Sequence, residues 1–435
     1  VEEHLDKDKD KTNSPELDVE KDLLSSGERL VENENKSLSS DCMNGNVAEQ
    51  NDEIVDEKYR GAEEILWAQN EFVYCGLEEE NEGKNVICEF VPVDDQSNYK
   101  AVISINGSSP SGKIKDFNDN ILSDNNLDYN ITSAVIEDGI TCISNNLFKN
   151  ASSLETVEIK NNVSCIGKSA FEGCEKIKEV LVPDSVFEIN EKAFAECSSL
   201  ESIEFSNNLN KIGTSAFENC KSLSSFDLPD TLESIGEKTF YNCNGINSII
   251  IPQNVISIGK FAFAKCASLK IVNLPEKLSN IEDGLFQDCT NLNNINIPDQ
   301  LERIGSKAFA SCAGIKTLKI PDKVTEIGES AFSGCSALQE IKLPTSLKEI
   351  SNYLLNGCTM LTSVEIPLQI EKIWEESFGG CIKIKNIYFQ GDCPTFKGSN
   401  AFEEIDGATV YYPSGDEYKG WTNEENEVSS SPTEY

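Results

Sequence analysis

The chain has 435 residues, of which 26% are charged and 38% hydrophobic, and its formal net charge is −38. This acidity opposes binding to nucleic acid or to anionic membrane surfaces, and no apolar run reaches the roughly 18 residues of a membrane-spanning helix. The single histidine, His4, excludes Ser-His-Asp and Cys-His catalysis and histidine-bearing metal sites. We therefore expect a non-enzymatic protein with no cofactor and no metal.

The first 60 residues form a polar leader in which acidic residues outnumber basic ones by 18 to 8. Such a segment buries too little apolar surface to offset the entropy of ordering, so we expect residues 1–60 to be disordered and solvated. A docking tail is the alternative. Because the chain begins at Val1 and carries no secretory leader, we also expect a fragment or a processed form.

Residues 61–130 have a different character, with two short β-branched runs flanked by turn residues. The runs 85–93 and 101–105 predict strands joined through residues 94–98. Repeat arrays expose their end coils, so a β unit at this position is expected to cap the array that follows. An independent ligand-binding domain is the alternative.

From Ile131 onward the chain repeats every 23 residues. Counted from Phe148 at intervals of 23 residues, the residue is Phe in ten of eleven units and Leu355 in the other; we call it the stop residue. An isoleucine lies five residues before each stop residue. Proline closes the apolar stretch in eight units, from Pro183 to Pro367. A cysteine lies three residues after the stop in ten units: Cys174, Cys197, Cys220, Cys243, Cys266, Cys289, Cys312, Cys335, Cys358 and Cys381. This regularity predicts a solenoid.

One unit, residues 327–349, indicates the local structure of each coil. Phe332 and Cys335 have the spacing of one face of a short helical turn. Ile341 and Leu343 alternate at period two, which predicts one strand per coil, and Pro344 ends that strand because it lacks the N–H of a ladder. Glycine before the turn, as at Gly328, suggests a bend with unusual backbone dihedrals.

The sequence of residues 315–335, IKTLKIPDKVTEIGESAFSGC, resembles the BspA-like, treponemal-type leucine-rich repeat. The resemblance covers about 270 residues, as roughly a dozen 23-residue units. It implies an α/β-type repeat solenoid: a right-handed coil with a parallel β-sheet on the concave face, short helical turns opposite and a small β cap at the N-terminus. We therefore expect a solenoid over residues 131–412, ending in a closing strand, and a polar tail over residues 413–435.

The same resemblance implies a cell-surface or secreted protein that acts in adhesion. Its expected partner is a protein of the host extracellular matrix or of another microbe's surface, bound by a monomer without membrane insertion. An intracellular protein-interaction scaffold is the alternative. The full-length sequence upstream of Val1 would separate the two.

The cysteine column has three interpretations. A metal array requires ligands that converge from several directions, which one thiol per coil does not supply. Disulfides between neighbouring coils require a geometry that parallel side chains in a row do not easily reach. We therefore expect buried, reduced thiols that pack as small hydrophobic groups.

Strand alternation also predicts which residues face a partner. The residue between the two inward positions of each strand points out from the concave sheet, where solenoids bind extended ligands. A simply solvated column is the alternative. The predicted column consists of Glu158, Leu181, Glu204, Asp227, Ile250, Asn273, Asn296, Lys319, Lys342, Glu365 and Tyr388.

Overall fold

A computed structural model describes residues 71–76, 86–94, 98–105, 113–125, 130–398, 400–413, 420–421 and 433–434. The predicted leader 1–60 and most of the predicted tail 413–435 lie outside the described residues. The described residues belong to one compact unit, Gly61–Tyr435. None of the described segments forms a helix of the length and apolarity that crossing a membrane requires.

The described chain begins with three strands, β1 (Glu71–Tyr74), β2 (Val86–Pro92) and β3 (Asn98–Ile105). β2 pairs antiparallel with both of its neighbours, and β3 then pairs parallel with the first strand of the solenoid. The two strands predicted before residue 130 are therefore present, and their sheet continues into the solenoid. The role of this β unit as a cap remains a prediction.

The solenoid has about twelve coils, and almost every coil contributes a strand of three or more residues. These long strands pair in parallel, residue i with residue i+23, in several short sheets. We call the set the long-strand sheet. It comprises β4 (Asn130–Ile136), β6 (Thr156–Ile159), β8 (Glu179–Leu181), β10 (Ser202–Glu204), β13 (Ser248–Ile250), β15 (Ile271–Asn273), β17 (Asn294–Asn296), β19 (Thr317–Lys319), β21 (Glu340–Lys342), β23 (Ser363–Ile366), β25 (Asn386–Phe389) and β27 (Thr409–Tyr412).

A second parallel ladder, absent from the sequence prediction of one strand per coil, runs along another side of each coil. It forms where the repeated isoleucine and its neighbour pair with the same residues one coil away. We call it the short-strand sheet. It comprises β5 (Cys142–Ile143), β7 (Cys165–Ile166), β9 (Glu188–Ile189), β11 (Lys211–Ile212), β12 (Ser234–Ile235), β14 (Ser257–Ile258), β16 (Asn280–Ile281), β18 (Arg303–Ile304), β20 (Glu326–Ile327), β22 (Glu349–Ile350), β24 (Lys372–Trp374) and β26 (Thr395–Lys397).

The helical turn predicted around each phenylalanine is wrong. Of the described residues, only Ser123–Asn125 form a helix, a single 3₁₀ turn. Around Phe332 the backbone has positive φ at Ser330 (57°) and at Gly334 (73°), which an α-helix does not allow. Alternate amides also leave the coil, as when the Phe332 N–H donates to the Leu354 carbonyl at 3.0 Å. Hydrogen bonding between coils thus replaces hydrogen bonding along a helix.

The repeated side chains stack on one another to form the core. The phenylalanine rings from Phe148 to Phe332 are buried, and successive rings lie 5.1–5.9 Å apart and nearly parallel. The stack is interrupted at Leu355 and resumes with Phe378 against Phe402. Each coil buries its large apolar groups mainly against its two neighbours, so no coil is stable alone.

The repeated glycine before each turn has a different cause from the unusual dihedrals that we expected. Gly213, Gly236, Gly259 and Gly328 do not have positive φ. A methyl group at Gly259 would lie 2.3 Å from the Glu237 amide nitrogen, and one at Gly328 would lie 2.4 Å from the Ser306 amide nitrogen. Glycine is required here because the backbones of neighbouring coils approach closely.

The C-terminal coils end in an aromatic cluster. Trp421 stacks on Tyr412 with ring centroids 4.9 Å apart and meets the edge of Phe389. Beyond β27, the backbone of β28 (Thr433–Glu434) pairs in parallel with Tyr411 and Tyr412. The solenoid therefore ends at β27 with a further strand at its edge, and the closing role expected of its last strand remains a prediction.

Candidate functional site

The predicted column lies on the outward side of the long-strand sheet. Ten of its eleven residues are exposed, and Tyr388 is partly exposed. Each directly follows a residue whose side chain points into the core, as Lys342 follows buried Ile341, so its own side chain points outward. Register pairing places several successive members side by side, for example Lys319 beside Lys342. The column is therefore a row along the long-strand sheet; its role in binding remains a prediction.

Two further columns share this side of the sheet and were missed from the sequence. The strand-start column lies two residues before the predicted column in each coil, and strand periodicity alone could have identified it. The pre-strand column lies three residues before the predicted column. The strand-start column comprises Thr156, Glu179, Ser202, Ser225, Ser248, Ile271, Asn294, Thr317, Glu340, Ser363 and Asn386. The pre-strand column comprises Glu155, Lys178, Glu201, Ser224, Asn247, Lys270, Asn293, Lys316, Gln339, Thr362 and Lys385.

We call the three columns together the long-strand face. Its most exposed apolar residues are Leu181, 57% exposed, and Ile250, 70% exposed. Ile271, 41% exposed, lies on the strand next to Ile250, one coil further along. At the C-terminal end the rings of Tyr388 and Tyr411 stack with centroids 4.7 Å apart. Exposed apolar and aromatic groups of this kind are typical of protein-binding surfaces.

The charges on the long-strand face change sign along the solenoid. Glu201 precedes β10 and Glu204 ends it, whereas Lys316 precedes β19 and Lys319 ends it. Near the basic end, the amide and hydroxyl of Thr345 donate to Asp322 at 3.0 Å and hold its pKa below the ordinary value. Lys342 and Lys319 lower the pKa of Asp322 further.

Most charged side chains of this face lie outside ion pairs. In the described part of the chain, the ion pairs on the face are Lys160–Glu158 and Lys176–Glu155, both at its N-terminal end. None of Glu201, Glu204, Lys316 and Lys319 belongs to an ion pair there. These charges remain available to a ligand.

The short-strand sheet differs, because the charged residues at the first positions of its strands are linked between coils. Lys211 pairs with Glu188, and Arg303 donates to Glu326 at 3.2 Å. The Glu349 carboxylate accepts hydrogen bonds from Lys372 and then from the Trp374 indole, which together lower its pKa. This side therefore uses its charges to hold neighbouring coils together.

The same column of the short-strand sheet contains a disulfide that the sequence analysis did not predict. Cys142 and Cys165 are directly paired on β5 and β7, with Cα atoms 4.9 Å apart. Residues in register on neighbouring parallel strands come within disulfide range. The sequence signal was their separation of 23 residues, one full repeat.

The ten column cysteines are free and buried, as the sequence predicted. Each thiol donates a hydrogen bond to the carbonyl of the stop residue, Phe or Leu355, one coil earlier, as Cys335 does to Phe309 at 3.2 Å. Burial raises the pKa of Cys266 and of Cys335 to about 12. These thiols are therefore neutral at physiological pH and are part of the core.

The described residues contain no group of three or more His, Cys, Asp or Glu side chains placed to hold a metal ion. One surface depression, of about 480 Å³, is lined by residues that include Glu326, Glu349 and Trp374 of the short-strand sheet. All three already form the cross-coil contacts described above. The long-strand face is therefore the main candidate site.

A search of curated protein sequences returns no significant match. Among solved structures, the chain is similar to a leucine-rich cell surface protein from Faecalibacterium prausnitzii, with 25% identity and a TM-score of 0.48 over 76% of this chain and 94% of that one. It is also similar to a leucine-rich repeat protein from Bacteroides ovatus, with 23% identity and a TM-score of 0.49 over 80% of this chain and 98% of that one.

The family match covers most of the solenoid. The model described as the BspA type leucine rich repeat region matches in six copies over residues 125–244, 212–326 and 303–418. These ranges confirm the resemblance inferred from residues 315–335 and cover well over half of the sequence. The chain belongs to the BspA-type leucine-rich-repeat family.

Proposed function

We propose that this chain is the protein-binding, adhesive part of a cell-surface or secreted protein, and that its ligand contacts the long-strand face. The observation that carries the proposal is the contrast between two sides of one solenoid. Charged side chains on the short-strand sheet form ion pairs between coils, such as Lys211–Glu188. Charges such as Lys319 and Lys342 on the long-strand face are not in ion pairs within the described residues, and the same face exposes the apolar side chain of Ile250.

The Cys142–Cys165 disulfide supports an extracellular location over an intracellular scaffold. Disulfides persist in oxidising compartments and are rare in the cytosol. The ten buried thiols are compatible with the same environment, because a neutral and inaccessible thiol does not react. The expected ligand is a protein of the host extracellular matrix or of another microbe's surface.

The test uses the chain immobilised on a sensor surface, with extracellular-matrix proteins and microbial surface proteins passed over it. We expect saturable binding of at least one of these proteins, weakened at least about tenfold in K319E/K342E, because charge reversal on a binding face costs several kcal/mol. The matched control is K192E/K307E, in which two lysines of the turns change sign. Equal binding by both variants, or no binding to any protein tested, contradicts the proposal.

A further inference from the structure

The long-strand face has an acidic cluster and a basic cluster at equal distances on opposite sides of one midpoint. The midpoint of the pattern lies between β13 and β15. Glu201 and Glu204 lie at β10, two and a half coil spacings to one side, and Lys316 and Lys319 lie at β19, the same distance to the other side. At about 4.8 Å per coil, each cluster is about 12 Å from the midpoint.

We propose that this face pairs with the same face of a second copy, around a two-fold axis parallel to the strands. Such an axis reverses the order of the coils but keeps the strand direction, so residues of the same column face one another. Glu201 then faces Lys316 of the second copy, Glu204 faces Lys319, and both contacts occur twice, as isologous symmetry requires.

The polar and apolar residues nearer the midpoint fit the same arrangement. Asp227 faces Asn296, and Ser225 faces Asn294, which are polar groups able to hydrogen-bond across the interface. The exposed side chains of Ile250 and Ile271 lie beside the axis, where an interface is most completely dehydrated. An apolar centre flanked by complementary charges is therefore present on one chain.

One pairing in the patch is unfavourable, since Glu179 on β8 faces Glu340 on β21. This contact is at the edge of the patch, where water screens the repulsion. The patch spans about eight coils and about five residues along the strands, or roughly 650 Å² per copy. Over both copies this is roughly 1,300 Å², at the small end of specific interfaces, so the dimer is expected to form in the micromolar range and to weaken with salt.

The dimer goes beyond the proposed function, because it requires no other protein. Sedimentation velocity of the chain alone, over micromolar to sub-millimolar concentrations, tests it. We expect a monomer–dimer equilibrium for the wild type. Both E201K/E204K and K316E/K319E should weaken it at least about tenfold, because each places like charges opposite one another. The control E302K/E329K changes the net charge by the same amount as E201K/E204K, at residues away from the face, and should dimerise like the wild type.

Restoring opposite charges at the proposed contacts distinguishes this pairing, with reversed coil order, from a general effect of charge. An equimolar mixture of E201K/E204K with K316E/K319E should form heterodimers, since both contacts are again between opposite charges. The fourfold variant that carries all these changes should homodimerise for the same reason. A wild type that remains monomeric throughout, or a mixture and a fourfold variant that both fail to associate, overturns the inference. Ligand binding by a monomeric wild type would leave the proposed function intact.

Discussion

The thiol of Cys335 donates a hydrogen bond to the carbonyl oxygen of Phe309, one coil earlier, with Sγ and O 3.2 Å apart. The same carbonyl accepts the amide of Cys312 from its own coil at 3.1 Å. A buried carbonyl has two lone pairs, and here both are used. The cysteine column therefore satisfies backbone acceptors inside the core while it fills the space beside the phenylalanine stack.

The buried thiols predict steep unfolding in alkali. Their pKa is raised from 9.0 to about 12 at Cys266 and Cys335, so above pH 9 the unfolded chain releases protons that the folded chain retains. Stability is therefore full below pH 9 and falls as the pH rises toward 12, by about 1.4 kcal/mol per pH unit for each thiol. Circular dichroism against pH measures the transition.

Thiol labelling supplies the control for the alkaline transition. At neutral pH the column thiols should react with a maleimide only after a denaturant is added, because folded thiols are buried and neutral. Loss of structure and gain of reactivity should then coincide as the pH rises. Rapid labelling of folded chain at neutral pH would show that the column is accessible and would contradict this explanation.

The phenylalanine stack predicts a large difference between two substitutions at one position. Phe263 lies between Phe240 and Phe286, with ring centroids 5.4 and 5.9 Å away. F263A should cost about 3–5 kcal/mol, because it leaves a cavity in a stack that relaxes poorly. F263L should cost less than half as much, since Leu355 occupies the equivalent position of another coil. Urea unfolding midpoints measure both, and equal costs would contradict a stacking role.

The close approach of coils predicts that a single methyl group is destabilising. In G259A the new methyl would lie 2.3 Å from the Glu237 amide nitrogen, so the coils must separate, at a cost of about 1–3 kcal/mol. The matched control is E282A, one coil later in the same column, where a side chain is already accommodated and only a weak ion pair with Arg303 is lost. The thermal unfolding midpoints of both variants test this prediction. An unchanged midpoint in G259A would contradict the close contact between the coils at Gly259.

The Cys142–Cys165 disulfide is expected to stabilise the N-terminal coils. Closing a loop of one 23-residue repeat contributes about 3 kcal/mol through the unfolded chain. C142S/C165S should therefore expose the amides of β5 and β7 to faster hydrogen exchange and leave the exchange of β20 and β22 unchanged. Reductant should bring the wild type to the same exchange rates and have no effect on the variant. A reductant response in the variant would point to another bond.

Much of the solenoid could be predicted from the sequence, because a 23-residue spacing fixes which side chains stack. The buried Phe, Ile and Cys columns and the exposed column from Glu158 to Tyr388 follow directly from that spacing. The helical turn was wrong because the spacing of Phe332 and Cys335 does not reveal that Ser330 and Gly334 have positive φ. A residue's side-chain periodicity carries no information on where its amide hydrogen bond goes.

The candidate site was predicted only in part for a related reason. Alternation identifies the column nearest the end of each strand, but it does not show which charges are already paired. Lys211 and Lys319 look alike in sequence, and only the structure shows that Lys211 is in an ion pair with Glu188. Recognising the long-strand face therefore required the register between coils as well as the pattern within one.

Lysine footprinting tests the central claim, that the long-strand face binds the ligand, most directly. The chain is acetylated with and without a saturating protein ligand, at a concentration where it is monomeric alone, and each lysine is quantified by mass spectrometry. We predict protection of Lys270, Lys316, Lys319 and Lys342, and unchanged acetylation of Lys192 and Lys307 in the turns. Protection of the turn lysines with unchanged acetylation of Lys319 and Lys342 would contradict the claim.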